Sequence, residues 1–320
     1  MPLRADFFTN LMIRATPVME LNDPFEAHFN NEQVREAVRN QTDYYKKNGK
    51  DIHEPDESEL NDTVSVIQCE RAELGILSFT EDFNNPLMWA HYADEHKGMV
   101  VEFDFHEAFF MDSVKESNGR KSRFGKNYLA DCYEFPEKVD YRRVMPSFAR
   151  AELSSPESMN DYHWEKFNRT ILFTKANDWI YEKEQRSIVK LKDADSIICD
   201  DCEHIRKQCH SDNSIKLIKL NDKNKIQVIY PNEYEMHENM GDESMKNEIY
   251  RLASCSNQPP IHLFRLNPLA ISGVYFGCKA DESKALEDIE NNNSLKHLNN
   301  IHKMEVNRTL YQLDPVKLTR

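Results

Sequence analysis

Glu182, Glu184 and Arg186 stand two apart in the stretch Trp179-Ile180-Tyr181-Glu182-Lys183-Glu184-Gln185-Arg186. Trp179–Leu191 reads as a strand, and alternate side chains of a strand share a face. The two carboxylates and the guanidinium then project together, with Tyr181, Lys183 and Gln185 on the other face. Paired carboxylates repel unless a cation or donor faces them, and one of such a pair is expected to hold its proton unusually tightly, which suits acid/base chemistry. The same spacing also suits an exposed strand face carrying a ladder of salt bridges.

Other residues carry weaker chemical signals. Ser78 and Thr80 alternate on a strand over Gly75–Thr80. Trp89, His91 and Tyr92 follow the helix-start pair Asn85-Pro86, and His96 precedes Gly98. His91 and His96 are about 140° apart around a helix, so they do not share a face as metal ligands at i, i+4 would. They read as packing or capping histidines, or as pocket groups that titrate near neutral pH. Asn22-Asp23-Pro24-Phe25-Glu26 reads as a rigid turn, with Pro24 starting a helix and Phe25 stapling it, or as a source of two pocket residues, Asn22 and Asp23. Cys199, Cys202, Cys209 and His210 have the density of a structural zinc clip, or are free cysteines in a polar loop. Lys115, Arg120, Lys121, Arg123 and Lys126, interleaved with Phe124 and Tyr128, form one basic island that reads as a solvated loop or a local anion contact.

These residues need a frame to position them. Helices are expected over Asn31–Asn48, Glu59–Glu73, Tyr162–Lys175 and Asp281–Asn299. Strands are expected at Gly75–Thr80, Met99–Asp104, Trp179–Leu191, Ile271–Gly277 and Met304–Leu313. Their irregular alternation gives an α+β class: one mixed-sheet domain over 1–320 with flanking helices, and an insertion or small subdomain at 192–270. The chain has 320 residues, enough for a substantial core. No apolar run reaches the length of about 18 residues that a membrane helix needs, and MPLRADFFTN lacks the apolar region of a signal peptide. Seven cysteines, an odd number, fit a reducing cytoplasm better than a disulfide framework. A net charge of −14 argues against broad binding to nucleic-acid backbones. Eight glycines and no GxGxxG argue against a dinucleotide-binding α/β fold, and Gly119–Lys126 has neither the spacing nor the Ser/Thr of a P-loop.

Taken together, Leu21–Glu26, the stretch LSFTEDFNNPLMWAHYADEHKGMVVEFD over Leu77–Asp104, and Trp179–Arg186 resemble the bacterial family of domains of unknown function numbered 2971. The resemblance runs from about Asp6 to Ala280. More distantly, a Ser-x-Thr strand followed by Glu-x-Glu resembles the ADP-ribosyltransferase superfamily, whose fold is a split sheet. That resemblance implies an NAD-consuming enzyme. Glu184 would oppose the oxocarbenium charge, Glu182 would orient the acceptor, and Ser78, Thr80, Trp89, His91, Tyr92, Arg186, Asn22 and Asp23 would shape the NAD pocket. The acceptor would be a protein or a nucleic acid, in a bacterial defence or toxin setting. Arg4 and Arg14 are the cations nearest the position of a first-strand grip on NAD. Two other functions fit the same residues: a non-catalytic nucleotide sensor or interaction module, and a metal-dependent hydrolase or nuclease built on Asp23, His91 and Glu184.

Overall fold

A computed structural model describes residues 1–4, 6–104, 106–111, 133–146, 161–221, 224–231, 242–256 and 258–318. The chain is α+β and divides into two compact units. The first comprises Met1–Ala15, Thr80–Ser117 and Lys192–Arg320, and the second Thr16–Phe79 and Asn118–Leu191. Among the described residues no helix is long and apolar enough to cross a membrane.

The first unit contains two sheets. In one, Met12–Ala15 pairs with His262–Arg265, the strand Ile261–Arg265 with Ser196–Asp200, that strand with Lys225–Ile229, and that with Lys216–Lys219, all antiparallel. Ile197 and Cys199, and on the next strand Ile226 and Val228, point inward at the period of two that a one-sided sheet requires. They meet Ile205 and Cys209 of the helix Glu203–His210 and Ile249 of the helix Asp242–Ser254. Residues 192–270 thus supply four strands and two α-helices among the described residues of this unit, together with part of its core. In the second sheet the order is Leu313–Lys317, Ile301–Val306, Ile271–Phe276, Met99–Phe103. Its core is Trp89, Ala93, Tyr275, Met304 and Leu313.

The second unit orders Tyr133–Lys138, Glu184–Lys190 and Leu74–Thr80 beside the end of Met12–Pro17, with a separate parallel pair, Asp140–Arg142 and Thr174–Ala176. Asn30 starts the helix Asn31–Lys47 by accepting the Glu32 N–H. Asp56 and Glu59 form a reciprocal capping box at the start of Glu57–Ala72. Val34, Val64, Ile67, Ile76, Phe167, Ile171, Leu172 and Ile188 build the core.

Four expected elements differ. Trp179–Leu191 is not one strand: Asn177–Glu182 winds as a 3-10 helix, Lys183 turns at φ 46°, and the strand is Glu184–Lys190. The expected helix to Lys175 stops at Leu172, because Thr174–Ala176 is drawn into parallel pairing with Asp140–Arg142. The helix expected to Asn299 ends at Asn291, where Asn292 turns its side chain onto the Ser294 N–H and caps a new turn, Asn293–Leu295. Met304–Leu313 is not one strand: Met304–Val306 ends the strand Ile301–Val306, Asn307 Oδ1 accepts the Thr309 and Leu310 N–H groups and reverses the chain, and Leu313 begins the partner strand.

Candidate functional site

The second unit gathers five buried charges. Lys175, on the strand Thr174–Ala176, donates to Glu182 Oε2 at 2.6 Å and to Glu184 Oε2 at 2.9 Å, and forms an ion pair with Glu26 Oε1 at 2.9 Å. Arg186, fully buried on the strand Glu184–Lys190, grips both oxygens of Glu184, with Nε at 2.8 Å from Oε1 and Nη2 at 3.1 Å from Oε2. Its Nη2 also lies 3.1 Å from Glu26 Oε2, and its Nη1 donates to the Leu172 carbonyl at 2.7 Å. Ser78 Oγ donates to Glu184 Oε1 at 2.6 Å. The Glu184 N–H donates to the Tyr141 hydroxyl oxygen at 2.7 Å.

The turn at Lys183 explains how two neighbouring glutamates reach one ammonium. On a regular strand, residues two apart lie about 7 Å from each other along the chain. The 3-10 turn ending at Lys183 brings both carboxylates within 3 Å of Lys175 Nζ. Glu182 and Glu184 do project together, with Arg186, but into the interior rather than onto an exposed face.

Burial by itself would push the Glu184 carboxyl up. Arg186, through its charge and its hydrogen bonds, then Lys175 and the Ser78 hydroxyl, more than offset this and hold it at about 2. Glu184 is therefore not the tightly protonated member that two close carboxylates suggested. Burial pulls Lys175 down, but Glu184, Glu26 and the Glu182 hydrogen bond hold it above the ordinary lysine value. At Glu26, burial wins over Arg186 and Lys175, and its carboxyl is pushed up. The cluster has three carboxylates against two cations.

Aromatic side chains border this cluster. Lys175 Nζ lies 5.1 Å from the Trp179 ring centroid, Trp179 and Tyr181 are 6.1 Å apart, and Tyr141, Trp179 and Tyr181 are all half-buried. Asp23 is buried in the same unit, and its Oδ1 accepts the Phe25 N–H at 2.9 Å, as the turn reading requires. Its Oδ2 has no hydrogen-bond partner. Asn22 is exposed. Pro24 opens no helix, and Phe25 is 66% exposed and staples nothing, because the chain simply turns from Asp23 to Glu26.

Trp89, His91, Tyr92 and Thr80 belong to the first unit. Trp89 is 1% exposed, packs with Tyr275 and Met304, and donates Nε1–H to the Phe83 carbonyl at 2.6 Å. His91 is exposed beside Tyr92, and Thr80 Oγ1 accepts the Asp82 N–H at 3.0 Å. Arg4 and Arg14 also lie in the first unit, and the Arg4 guanidinium donates to the Met12 carbonyl.

Cys199 and Cys209 face the core of the first unit, where burial pushes their thiols up to about 12 and about 11. His210 is exposed, with Nδ1 2.6 Å from the Arg206 carbonyl. Among the described residues no group of three His, Cys, Asp or Glu side chains is placed to hold a metal ion. Cys199, Cys202, Cys209 and His210 are not grouped as ligands in this arrangement, in which the Cys199 and Cys209 thiols pack into the core. The basic island from Lys115 to Lys126, with Tyr128, lies outside the described residues.

Reasoning from sequence missed Lys175 and Glu26. Glu26 closes the Leu21–Glu26 motif, so its signal was present but attached to the wrong residues. Lys175 follows a helix and stands in no pattern with the glutamates it joins.

No curated protein and no solved structure matches the chain. A family model matches residues 88–187, a span that includes Trp89 to Gly98, Lys175 and Trp179 to Arg186, and stops short of Ser78 and Glu26. Over that span, from Met88 to Ser187, the chain is similar to the family described as "Protein of unknown function (DUF2971)".

Proposed function

We propose that the protein is an NAD-consuming enzyme of the ADP-ribosyltransferase type, with its reacting centre around Glu184 in the second unit. The observation that carries this reading is the 2.6 Å hydrogen bond from Ser78 to Glu184. It joins the Ser-x-Thr strand to the last carboxylate of Glu-x-Glu, the two parts such an enzyme must bring together. The low carboxyl value of Glu184, about 2, supports it further, because the role needs a fixed negative charge at neutral pH.

In this reaction the bond between ribose C1′ and the nicotinamide nitrogen breaks. Its electron pair leaves with nicotinamide, and the ribose becomes cationic until water or another acceptor adds to C1′. A preorganised carboxylate opposes that charge as it develops. Glu184 fills this role, and Glu182 orients the acceptor. Tyr141, Trp179 and Tyr181 offer the aromatic surface for the nicotinamide ring, a role for which Trp89 is unsuited as a core residue of the first unit.

One observation favours a second reading, a nucleotide-binding module without turnover. Each Glu184 oxygen already takes two donors, Ser78 and Arg186 on Oε1, Lys175 and Arg186 on Oε2. A carboxylate has about four acceptor positions, so a substrate hydroxyl has to displace one of these donors.

The test is nicotinamide release from NAD by the wild type and by Glu184→Gln, with calorimetric NAD binding and thermal unfolding measured on both. Release by the wild type, lowered at least about 10²-fold in a folded variant, supports the transferase. Binding without release selects the module. Neither binding nor release overturns both readings.

A further inference from the structure

Glu182 points into the second unit, while Ile180 and Lys183 beside it face out. Those two residues are exposed, and Glu182 is 3% exposed. Asn177–Glu182 winds as a 3-10 helix, and Lys183 follows at φ 46°, a left-handed turn that sends Glu182 inward and Lys183 outward. Lys175 then fixes the carboxylate by donating to its Oε2 at 2.6 Å. The rim on this side is aromatic: the Trp179 ring centroid lies 5.1 Å from Lys175 Nζ, and the Tyr181 ring lies 6.1 Å from that of Trp179.

The two carboxylates of the pair differ in access. Glu184 Oε2 accepts from the same Lys175 ammonium, at 2.9 Å. Glu184 Oε1 accepts from the Ser78 hydroxyl at 2.6 Å, and Ser78 is exposed. A ribose hydroxyl of NAD that replaces Ser78 on Oε1 therefore meets Glu184 from the surface. The acceptor has to meet Glu182 on the Lys175 side.

That requirement selects the acceptor. A protein side chain or a nucleotide brings its own backbone with it. Such a group reaches a 3% exposed carboxylate only by breaking open the cluster, which strands buried charges. The net charge of −14 further opposes the approach of a nucleic acid. Water carries no backbone, and a single O–H donated to the carboxylate orients it.

We infer that the acceptor is water, so that the protein hydrolyses NAD instead of modifying a macromolecule; this rests on the assignment of NAD chemistry to Glu184. The bond from C1′ to the nicotinamide nitrogen breaks, and its electron pair neutralises the pyridinium. The oxygen of the water oriented by Glu182 bonds to C1′, and the proton it loses passes to Glu182 and on to solvent. One NAD and one water give one ADP-ribose, one nicotinamide and one proton.

The test incubates the purified full chain with NAD labelled in its adenylate phosphate and no other acceptor. Nicotinamide, free ADP-ribose and acid-precipitable label are measured together. Equal amounts of nicotinamide and free ADP-ribose are expected, at a rate that added bacterial protein or nucleic acid leaves unchanged. Glu182→Gln should lower kcat about 10²-fold, with the NAD dissociation constant within about twofold of wild type. Nicotinamide release that needs an added macromolecule and leaves the label on it would overturn the inference while NAD chemistry stands. So would label on the chain itself in place of free ADP-ribose, or a folded Glu182→Gln that keeps the wild-type rate. NAD binding without release from the wild type, or neither binding nor release, overturns the inference together with the chemistry it rests on. The product balance is read on the wild type alone, so it holds as a test when Glu182→Gln does not fold.

Discussion

Lys175 Nζ lies 2.9 Å from Glu26 Oε1, and this contact ties the Leu21–Glu26 turn to the Glu182–Glu184 pair through one ammonium. No solvent screens it, since both side chains are less than a tenth exposed. Removing one partner of such a network leaves the others buried and uncompensated. Lys175→Met is therefore expected to cost about 3–5 kcal/mol, measured by urea unfolding. Adding Glu26→Gln to it restores part of the loss by removing one stranded charge. A loss below about 1 kcal/mol, the range of exposed pairs, would show that the cluster is solvated in solution.

Glu184 and Glu26 respond to pH in opposite directions. The Glu184 carboxyl is lowered from its ordinary value of 4.5 to about 2 on folding. Its contribution is complete above 4.5 and disappears as pH falls through 2, for a total of about 3 kcal/mol. The stability gap between wild type and Glu184→Gln should shrink steadily over that window. A gap that stays constant from pH 5 to 2.5 would mean that the carboxylate is unperturbed. Glu26 is raised on folding, so its ionisation costs stability as pH climbs above the unfolded value. Glu26→Gln should consequently be milder than Glu184→Gln at neutral pH.

Gly277 carries a steric constraint in the first unit. A Cβ there would lie 2.0 Å from the His96 carbonyl oxygen, a backbone atom unable to move aside alone. The two segments are laced together by Gly277 N–H to Gly98 O at 2.9 Å and Lys279 N–H to His96 O at 3.1 Å. Gly277→Ala has to pry them apart and is expected to cost about 3 kcal/mol or more. Hydrogen exchange provides the readout: the Gly277 and Lys279 amides should lose protection before those of the Glu184–Lys190 strand. Equal protection in wild type and variant would refute this close approach.

The α+β class was legible because apolar residues alternate at 99, 101 and 103 along the strand Met99–Phe103, while Leu60, Val64 and Ile67 recur at helical spacing. Ser78, Glu182 and Glu184 were legible as candidates because strand spacing restricts which side chains can meet. Lys175 was not, because its partners are set by a parallel strand pair and a left-handed turn at Lys183, and neither leaves a periodic trace. Cys199 and Cys209 have metal-like spacing, but spacing says nothing of direction, and both turn into the core.

Trp89 and Trp179 have opposite environments, and two substitutions separate their roles. Trp89 is sealed in the first unit, with its Nε1–H on the Phe83 carbonyl. Trp89→Phe keeps most of the packing and strands that carbonyl, at a cost of about 1–3 kcal/mol. Trp179 is half-buried, with its ring 5.1 Å from Lys175 Nζ. If the site around Glu184 binds nicotinamide, Trp179→Ala should weaken NAD binding about tenfold, the equivalent of about 1.4 kcal/mol, with a smaller loss of stability than Trp89→Phe. Calorimetric NAD titration and thermal unfolding of both variants give the two readouts. If Trp89→Phe weakened NAD binding at unchanged stability, the ligand surface would belong to the first unit, and the assignment to Glu184 would be abandoned.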